Sequence, residues 1–207
     1  MVTTTTRSES RTSMRGHDKF QARRIELATA TLVTLAELGY ARTSLREIAQ
    51  NSAFSHGVLH YYFRDKLDLI TEAVKIFEAM CVTRYDDAVA SATTASELRH
   101  EFSTMFFATL ATDSAQHRLW YDLRNQTRFE SSLRDEICEI ESLRAQMISK
   151  VVDRYCELRR TPSQMSPQLA YVTLDGIFQR GLDDLLSGTD TSMTAARALL
   201  DEAFDAL

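Results

Sequence analysis

The sequence predicts an all-α protein, and three features of the chain support that prediction. Six glycines and two prolines occur in 207 residues, about 4% of the chain against an average of about 12%. No proline precedes Pro162, and no glycine lies between Gly57 and Gly176. Sheet proteins need such turn residues at short intervals. Apolar residues also recur every three or four positions, which is the period of a helix that buries one face.

Nine helices are expected, and their approximate bounds follow from the apolar stripes and from capping residues. The bounds are residues 18–38, 45–50, 55–61, 65–81, 97–111, 117–129, 131–160, 167–186 and 191–204. Gly39 and Gly188 suit the ends of the first and eighth helices. Ser44 followed by Glu47 is a capping box for the second helix, Ser55 is an N-cap for the third, and Pro167 suits the first position of the eighth.

The second and third helices, with the first behind them, form a helix-turn-helix. Val58, Leu59 and Tyr62 are expected to face inward, while the opposite side of the third helix offers short or flat hydrogen-bonding groups. These outward residues are Ser55, His56, Gly57, His60 and Tyr61. A recognition helix places such groups in the major groove of DNA, and Gly57 lets its backbone approach closely. Lys66, at the start of the fourth helix, can reach a phosphate.

The charge distribution favours a polyanion-binding module at the N-terminus. The net charge is −5, yet residues 1–66 hold ten Lys and Arg against six Asp and Glu, a net of +4. Residues 67–207 have a net charge of −9. We therefore divide the chain into a disordered Thr-, Ser- and Arg-rich arm over 1–17, a helix-turn-helix DNA-binding domain over 18–66 and a helical domain over 67–207.

Several other classes of protein and site are not supported by the sequence. Three cysteines form no CxxC pair, and His56 and His60 lack a third ligand at metal spacing, so no disulfide framework and no metal are expected. No catalytic constellation or phosphate-binding glycine loop is visible, so neither an enzyme nor a cofactor is expected. No apolar run could span a membrane and no secretory signal is visible, so we expect a cytoplasmic protein.

The segment GYARTSLREIAQNSAFSHGVLHYYFRDKLDLI resembles the DNA-binding domain of the tetracycline-repressor (TetR) family of bacterial transcriptional regulators. The matching positions are Gly39, Tyr40, Thr43, Ser44, Ile48, Ala49, Ser55, Gly57, Leu59, Tyr61, Tyr62, Phe63, Lys66 and Leu69. We also assign Thr43, Ser44 and Arg46 to the DNA-binding surface. The sequence departs from the family at Ala53, where Gly is usual, and at His60, where Tyr is usual. A left-handed backbone at Ala53 would cost about 1 kcal/mol.

The resemblance further implies a homodimer whose helical domain binds a small effector, of unknown identity, in a pocket among the middle helices. The candidate pocket residues are Phe106, His117, Trp120, Tyr121, Arg124, Arg128 and Met147. The candidate dimer interface lies on the last two helices and comprises Leu174, Ile177, Phe178, Gly181, Leu182, Leu185, Leu199 and Phe204. For the aromatic residues, an ordinary helix-bundle core is the alternative interpretation.

The sequence therefore predicts a DNA-binding transcriptional regulator, a repressor that a small-molecule effector releases from a pseudo-palindromic operator. Each recognition helix of the dimer is expected to enter one of two successive major grooves. A transcriptional activator of the same fold and a helical protein-binding adaptor are the alternatives. The basic N-terminal third disfavours the adaptor. A salt-dependent DNA-binding assay distinguishes the adaptor from a DNA-binding regulator.

Overall fold

A computed structural model describes residues 5–41, 43–188 and 192–207, with side chains from residue 18 onward except those of residues 42 and 189–192. Within these ranges the chain forms α-helices, one short 3-10 turn at Ser131–Leu133 and no strand, which confirms the predicted all-α class. The chain divides into two compact units: unit 1 ends at Phe77, and unit 2 runs from Glu78 to Leu207. No helix in the described residues is both long enough and apolar enough to cross a membrane.

All nine predicted helices are present in the part of the chain that the structure describes, and one short helix is added. The ten helices are α1 (Thr5–Leu38), α2 (Leu45–Gln50), α3 (His56–Tyr62), α4 (Lys66–Cys81), α5 (Asp86–Ser91), α6 (Ala95–Thr112), α7 (Ser114–Gln126), α8 (Arg134–Arg159), α9 (Pro167–Leu186) and α10 (Ser192–Asp205). Helix α5 was missed because six residues are too few to show a helical apolar period.

Helix α1 begins thirteen residues before its predicted start. It takes in most of residues 1–17, for which a disordered arm was expected. No proline interrupts this stretch, and extending a helix that already exists costs far less than starting one. The remaining residues of the expected arm, 1–4, lie outside the described ones.

Serine side chains cap the starts of three helices, and two of these caps, at α2 and α3, were predicted. The Ser44 hydroxyl accepts a hydrogen bond from the Glu47 backbone N–H at 3.2 Å, and that of Ser55 accepts from Val58 N–H at 3.3 Å. Ser166 caps α9 in the same way, with Pro167 at the first helical position. Each cap satisfies a backbone donor that would otherwise have no partner within the helix.

Unit 1 is held together by one arginine as well as by its apolar core. Arg24 on α1 donates to Asp68 at 2.9 Å and to Glu72 at 3.2 Å on α4, and to the backbone carbonyl of Tyr62 at the end of α3 at 2.5 Å. Its guanidinium also lies 4.6 Å from the centre of the Phe63 ring. One side chain therefore ties three helices together and sets where α3 ends relative to α1 and α4.

Unit 2 has an aromatic core at the place where three helices meet. Phe102 packs against Phe106 and Phe204, with ring centres 5.7 and 5.5 Å apart, and Phe106 packs against Phe178 at 5.1 Å. These rings come from α6, α9 and α10. Helix α9 lies among α6, α7, α8 and α10 and is therefore the central helix of the unit.

The central position of α9 changes the predicted dimer interface. Six of the eight proposed interface residues are buried inside their own chain: Leu174, Ile177, Phe178, Gly181, Leu182 and Phe204. Leu185 is half-buried, and Leu199 is exposed. The most apolar face of α9 therefore meets neighbouring helices of the same unit, and the expectation that these six residues face a partner does not hold. Four other residues of α9 lie on its outward side: Leu169, Val172, Gly176 and Leu186.

Candidate functional site

The outward face of α3 carries every polar group predicted for it. Ser55, His56, Gly57, His60 and Tyr61 are all exposed, Tyr61 to 71%. The rings of His56 and His60 stack edge to face, with their centres 4.3 Å apart. A Cβ added at Gly57 would meet no atom within 4 Å, so this part of the helix surface is open. The face therefore offers hydrogen-bonding groups and a bare backbone, as a helix in a DNA groove requires.

Helix α3 is anchored from below by two fully buried residues. Leu59 and Phe63 are 0% and 1% exposed. Val58 and Tyr62, which were also expected to face inward, are only half-buried. Phe20 on α1 packs against Tyr62 at 4.9 Å and against Tyr61 at 6.1 Å, measured between ring centres. These contacts hold the aromatic end of the helix in a fixed direction.

Two of the predicted DNA-contacting side chains are turned inward. Thr43 is buried, and its hydroxyl donates a hydrogen bond to the Gly39 carbonyl. The Lys66 ammonium donates to the Tyr40 carbonyl at 3.2 Å and lies 4.5 Å from the centre of the Tyr40 ring. Both side chains therefore stabilise the turn between α1 and α2. Ser44 and Arg46 are exposed, as their predicted role requires.

The departure at Ala53 carries no backbone strain. Among the described non-glycine residues, only Arg160 has a positive φ, so Ala53 does not adopt the left-handed conformation that would favour glycine. The turn between α2 and α3 is built here without that conformation.

Unit 2 contains a small cavity, called here the inner cavity, which three of the predicted effector residues line. Its volume is about 40 Å³, and Phe106, His117 and Met147 lie on its wall. Residues that the sequence did not single out complete the wall, notably Arg84, Arg144, Tyr171 and Asp175. The remaining wall is aromatic or aliphatic, and includes Tyr85, Ile148, Leu174 and Phe178.

A second concavity, called here the outer groove, is lined by three other predicted residues. Its volume is about 430 Å³, and Tyr121, Arg124 and Arg128 lie on its wall. Asp175 lines both the inner cavity and the outer groove. The seventh predicted residue, Trp120, lines neither of them: it is fully buried, with the Arg144 guanidinium 5.3 Å from its ring centre. The seven candidates are thus divided between two concavities and the core.

Charged groups link the two concavities. Asp175 accepts hydrogen bonds from the Tyr121 hydroxyl at 2.9 Å and from Arg124 at 2.7 Å, and Arg144 Nη2 lies 3.8 Å from the oxygen that Tyr121 contacts. Arg124 also forms an ion pair of 2.5 Å with Glu141. These residues form a continuous polar layer between an apolar cavity and an open groove.

Arg144 is the most buried charge of this layer. Its Nη1 atom donates to both carboxylate oxygens of Glu78, at 2.9 and 2.8 Å. Burial disfavours the charged guanidinium, but Glu78, with Tyr121 and Asp175, raises the pKa of Arg144 above its ordinary value. The arginine therefore remains charged inside the unit.

Burial has the opposite consequence for the histidine of the inner cavity. It lowers the pKa of His117 well below 6.5, and the nearby positive charges of Arg144 and Arg84 lower it further. His117 is therefore a neutral imidazole near pH 7. Burial and the Asp175 carboxylate raise the pKa of Tyr171 to about 12, so its hydroxyl remains protonated.

The sequence contained one signal for the missed residues. The inward stripe of α8 runs through Ile137, Ile140, Ile148 and Tyr155, and Arg144 occupies a position of that stripe. A charge at a core position is rare unless it is paired. The partners could not be found in the same way, because Glu78 and Asp175 come from α4 and α9, and only the tertiary fold brings them together.

Among the described residues, no three His, Cys, Asp or Glu side chains are grouped in a way that could hold a metal ion. The three cysteines are free thiols, and Cys81 is buried.

Comparison with known proteins matches the helix-turn-helix segment to a family. Residues 27–73 match the family described as "Bacterial regulatory proteins, tetR family". The match includes α2 and α3 and most of the α4 residues of unit 1. It therefore contains the whole exposed face described above.

Proteins that match most of the length of the chain are also transcriptional regulators. The chain is 24% identical to the HTH-type transcriptional regulator BetI of Paraburkholderia phymatum over 190 residues, which is 90% of this chain and 93% of BetI. A putative TetR-family transcriptional regulator from Rhodococcus sp. superposes with a TM-score of 0.67 at 20% identity, covering 89% of this chain and 97% of that one. The regulator FadR from Bacillus subtilis, solved in complex with stearoyl-CoA, gives a TM-score of 0.65 at 18% identity, covering 87% and 97%. The two structural matches establish a shared fold.

Proposed function

Since the chain belongs to the TetR family of bacterial transcriptional regulators, we propose that it is a dimeric repressor that a small molecule releases from its operator. The exposed polar face of α3 is the observation that supports this proposal most strongly. Four exposed side chains, those of Ser55, His56, His60 and Tyr61, present hydroxyl, imidazole and phenol groups around the bare backbone of Gly57. Such groups can read base edges in the major groove and donate to phosphates. The regulator acts on chromosomal DNA, so we assign it to the cytoplasm.

Arg46 is the cation best suited to a phosphate contact on this surface. It is exposed on α2, one position after the first helical residue, whereas Lys66 is directed towards Tyr40. Because phosphate contacts release counterions, each of them adds about one unit to the salt dependence of binding. Arg46 should therefore contribute to affinity for any sequence, and the imidazoles of α3 should contribute to the choice of sequence.

The dimer would form through the outward face of α9. Leu169, Val172 and Leu186 are 52%, 55% and 45% exposed and share one side of the helix with Gly176. Their spacing of three, four and ten residues is that of a helix seam. Helix α10 packs along α9 and adds Leu199, which is 43% exposed. Arg180 and Asp183 are exposed on the same side of α9. A second copy would cover this face with the same face, as two-fold symmetry requires.

The effector would bind in unit 2 at the inner cavity. A relative of the same fold, FadR from Bacillus subtilis, was solved with stearoyl-CoA bound, which supports a ligand-binding role for this fold. An effector that binds one conformation of the dimer more tightly shifts the population towards it. Release follows if that conformation places the two recognition helices at a spacing that two successive grooves cannot accept.

Fluorescence anisotropy with labelled DNA tests the DNA-binding part of this proposal. The probes are duplexes from the intergenic DNA that flanks its own gene and shuffled duplexes of equal composition. We expect preferential binding to one genomic duplex, with affinity falling by about 10³-fold or more between 50 and 200 mM salt. Arg46→Ala should flatten the salt slope by about one unit, and Lys150→Ala, an exposed charge in unit 2, should not. Equal affinity for shuffled DNA, or binding indifferent to salt, would refute the proposal.

A further inference from the structure

Two residues that line the inner cavity each carry a buried polar atom that lacks a hydrogen-bond partner. These atoms are Nε of Arg144 and the hydroxyl oxygen of Tyr171, both on side chains buried in unit 2. Buried polar atoms in folded proteins are nearly always paired, and leaving one unpaired costs about 1–3 kcal/mol. Both atoms can donate a hydrogen bond. The cavity therefore has two donors available for an acceptor atom that enters it.

The full charges around the cavity are already balanced. Arg144 is paired with Glu78 at 2.8 Å, and Arg84 with Asp113 at 2.9 Å. The carboxylate of Asp175 is paired with Arg124 at 2.7 Å. An ionised ligand would bring an unmatched charge into this buried site or break one of these pairs, and both are costly.

The rest of the cavity wall determines the polarity and the size of the ligand that can bind. Phe106, Phe178, Leu174 and Ile148 surround the space with rings and aliphatic groups. The free volume is about 40 Å³, enough for a few water molecules and far less than an acyl chain of eighteen carbons requires. Met147 also lines the cavity, and its flexible side chain can give way to a somewhat larger group.

We propose that the effector is an uncharged, compact molecule with an apolar body and a single acceptor oxygen, such as a small ketone. Its oxygen accepts hydrogen bonds from the Tyr171 hydroxyl and Arg144 Nε, and its body packs against the aromatic wall. This inference rests on the proposed function, because it names the ligand class of the same effector site.

Four probes that share a five-membered carbon ring test the ligand class on the full-length protein without DNA. They are cyclopentanone, its isosteric hydrocarbon methylenecyclopentane, cyclopentanecarboxylate and cyclopentylammonium. The only tryptophan, Trp120, lies against the Arg144 guanidinium, so its fluorescence reports on this site. We expect cyclopentanone to bind about fivefold or more tightly than the hydrocarbon, since it gains hydrogen bonds. Both charged probes should bind at least about tenfold more weakly than the ketone.

Two matched variants assign the effect to the Tyr171 hydroxyl. Tyr171→Phe removes one donor and should reduce the preference for the ketone over the hydrocarbon by about threefold or more. Tyr155→Phe makes the same chemical change at a buried tyrosine that packs on Phe204 outside the cavity, and should leave the preference unchanged. Thermal unfolding of each variant confirms that it is folded.

Tighter binding of a charged probe, equal binding of ketone and hydrocarbon, or failure of all four probes to bind would overturn the ligand class. A preference for the ketone that Tyr171→Phe leaves intact would overturn the assigned donor. None of these results alters operator binding, which the anisotropy measurement tests separately. Conversely, a protein that prefers the ketone but does not bind operator DNA would contradict the proposed function alone.

Discussion

Arg144 and Glu78 form a buried ion pair in which one guanidinium nitrogen, Nη1, contacts both carboxylate oxygens at 2.9 and 2.8 Å. Their side chains are only 9% and 2% exposed. The pair joins the middle of α8 to the last residues of α4, beside the inner cavity. Because neither charge can be hydrated in place, each depends on the other.

Removing one partner of this pair should strongly destabilise unit 2. Glu78→Gln leaves a buried guanidinium without its main counter-charge, so we expect a loss of about 3–5 kcal/mol in the free energy of unfolding. Urea denaturation followed by Trp120 fluorescence measures it. Lys150→Ala, which removes an exposed pair with Asp86, should cost less than about 1 kcal/mol. The double variant Glu78→Leu with Arg144→Met should recover part of the loss, and a larger loss in the double variant would contradict this explanation.

The stability of unit 2 should fall as pH decreases from 6.5. The pKa of His117 is lowered in the folded state by burial and by Arg144 and Arg84, so below pH 6.5 the unfolded chain binds a proton that the folded chain does not. The contribution is complete above about pH 6.5 and is lost at up to about 1.4 kcal/mol per pH unit towards the lowered folded pKa. Urea unfolding between pH 7.5 and 5.5 measures the slope.

Two substitutions test whether His117 causes this pH dependence of stability. His117→Asn should remove it over this range, whereas His100→Asn, at an exposed position of α6, should leave it unchanged. If the slope persists in His117→Asn, another group is responsible and the assignment to the buried imidazole is incorrect.

Gly57→Ala should separate folding from DNA binding. A Cβ at this position meets no atom within 4 Å, and alanine favours the helix by up to about 1 kcal/mol, so thermal stability should be unchanged or higher. The same methyl group would stand between the α3 backbone and the major groove, so operator affinity should fall by about tenfold or more. Anisotropy and thermal unfolding on one preparation test both effects. Unchanged affinity would show that the backbone does not approach DNA at Gly57.

Val172→Asp should prevent dimerisation, whereas Phe178→Asp should prevent folding of unit 2. Val172 is exposed on the proposed dimer face, so its aspartate variant should remain folded and sediment as a monomer at micromolar concentration. Phe178 is buried against Phe106 and His117, so its aspartate variant should lose the fold of unit 2. Sedimentation with circular dichroism distinguishes these results. A folded dimer for Val172→Asp would refute the proposed face.

The sequence was most informative where local rules decide the structure. Ser44 and Ser55 act as caps as predicted, because capping depends on neighbours three residues away. The polar face of α3 was predictable because only one side of a short helix can pack on its support. The recognition surface therefore follows from the segment itself.

The sequence was less informative where several helices compete for one surface. The stripe that contains Leu174 and Phe178 is apolar enough for a dimer interface. In the structure, however, these residues are buried against other helices of the same chain. The partners of Arg144 lie 66 positions before it and 31 positions after it, at Glu78 and Asp175. Periodicity shows that a residue is buried, and it does not show against which helix.

Selection from a random-sequence duplex library tests the central claim, a dimeric repressor that reads an operator, most directly. The wild-type protein should enrich a pseudo-palindromic motif whose half-site centres are about one helical turn, roughly 34–36 Å, or a multiple of it apart. A His60→Ala variant should enrich a motif altered within both half-sites and keep the same spacing, since both subunits use the same helix. Enrichment of no motif, or of a single half-site without a second, would contradict the claim.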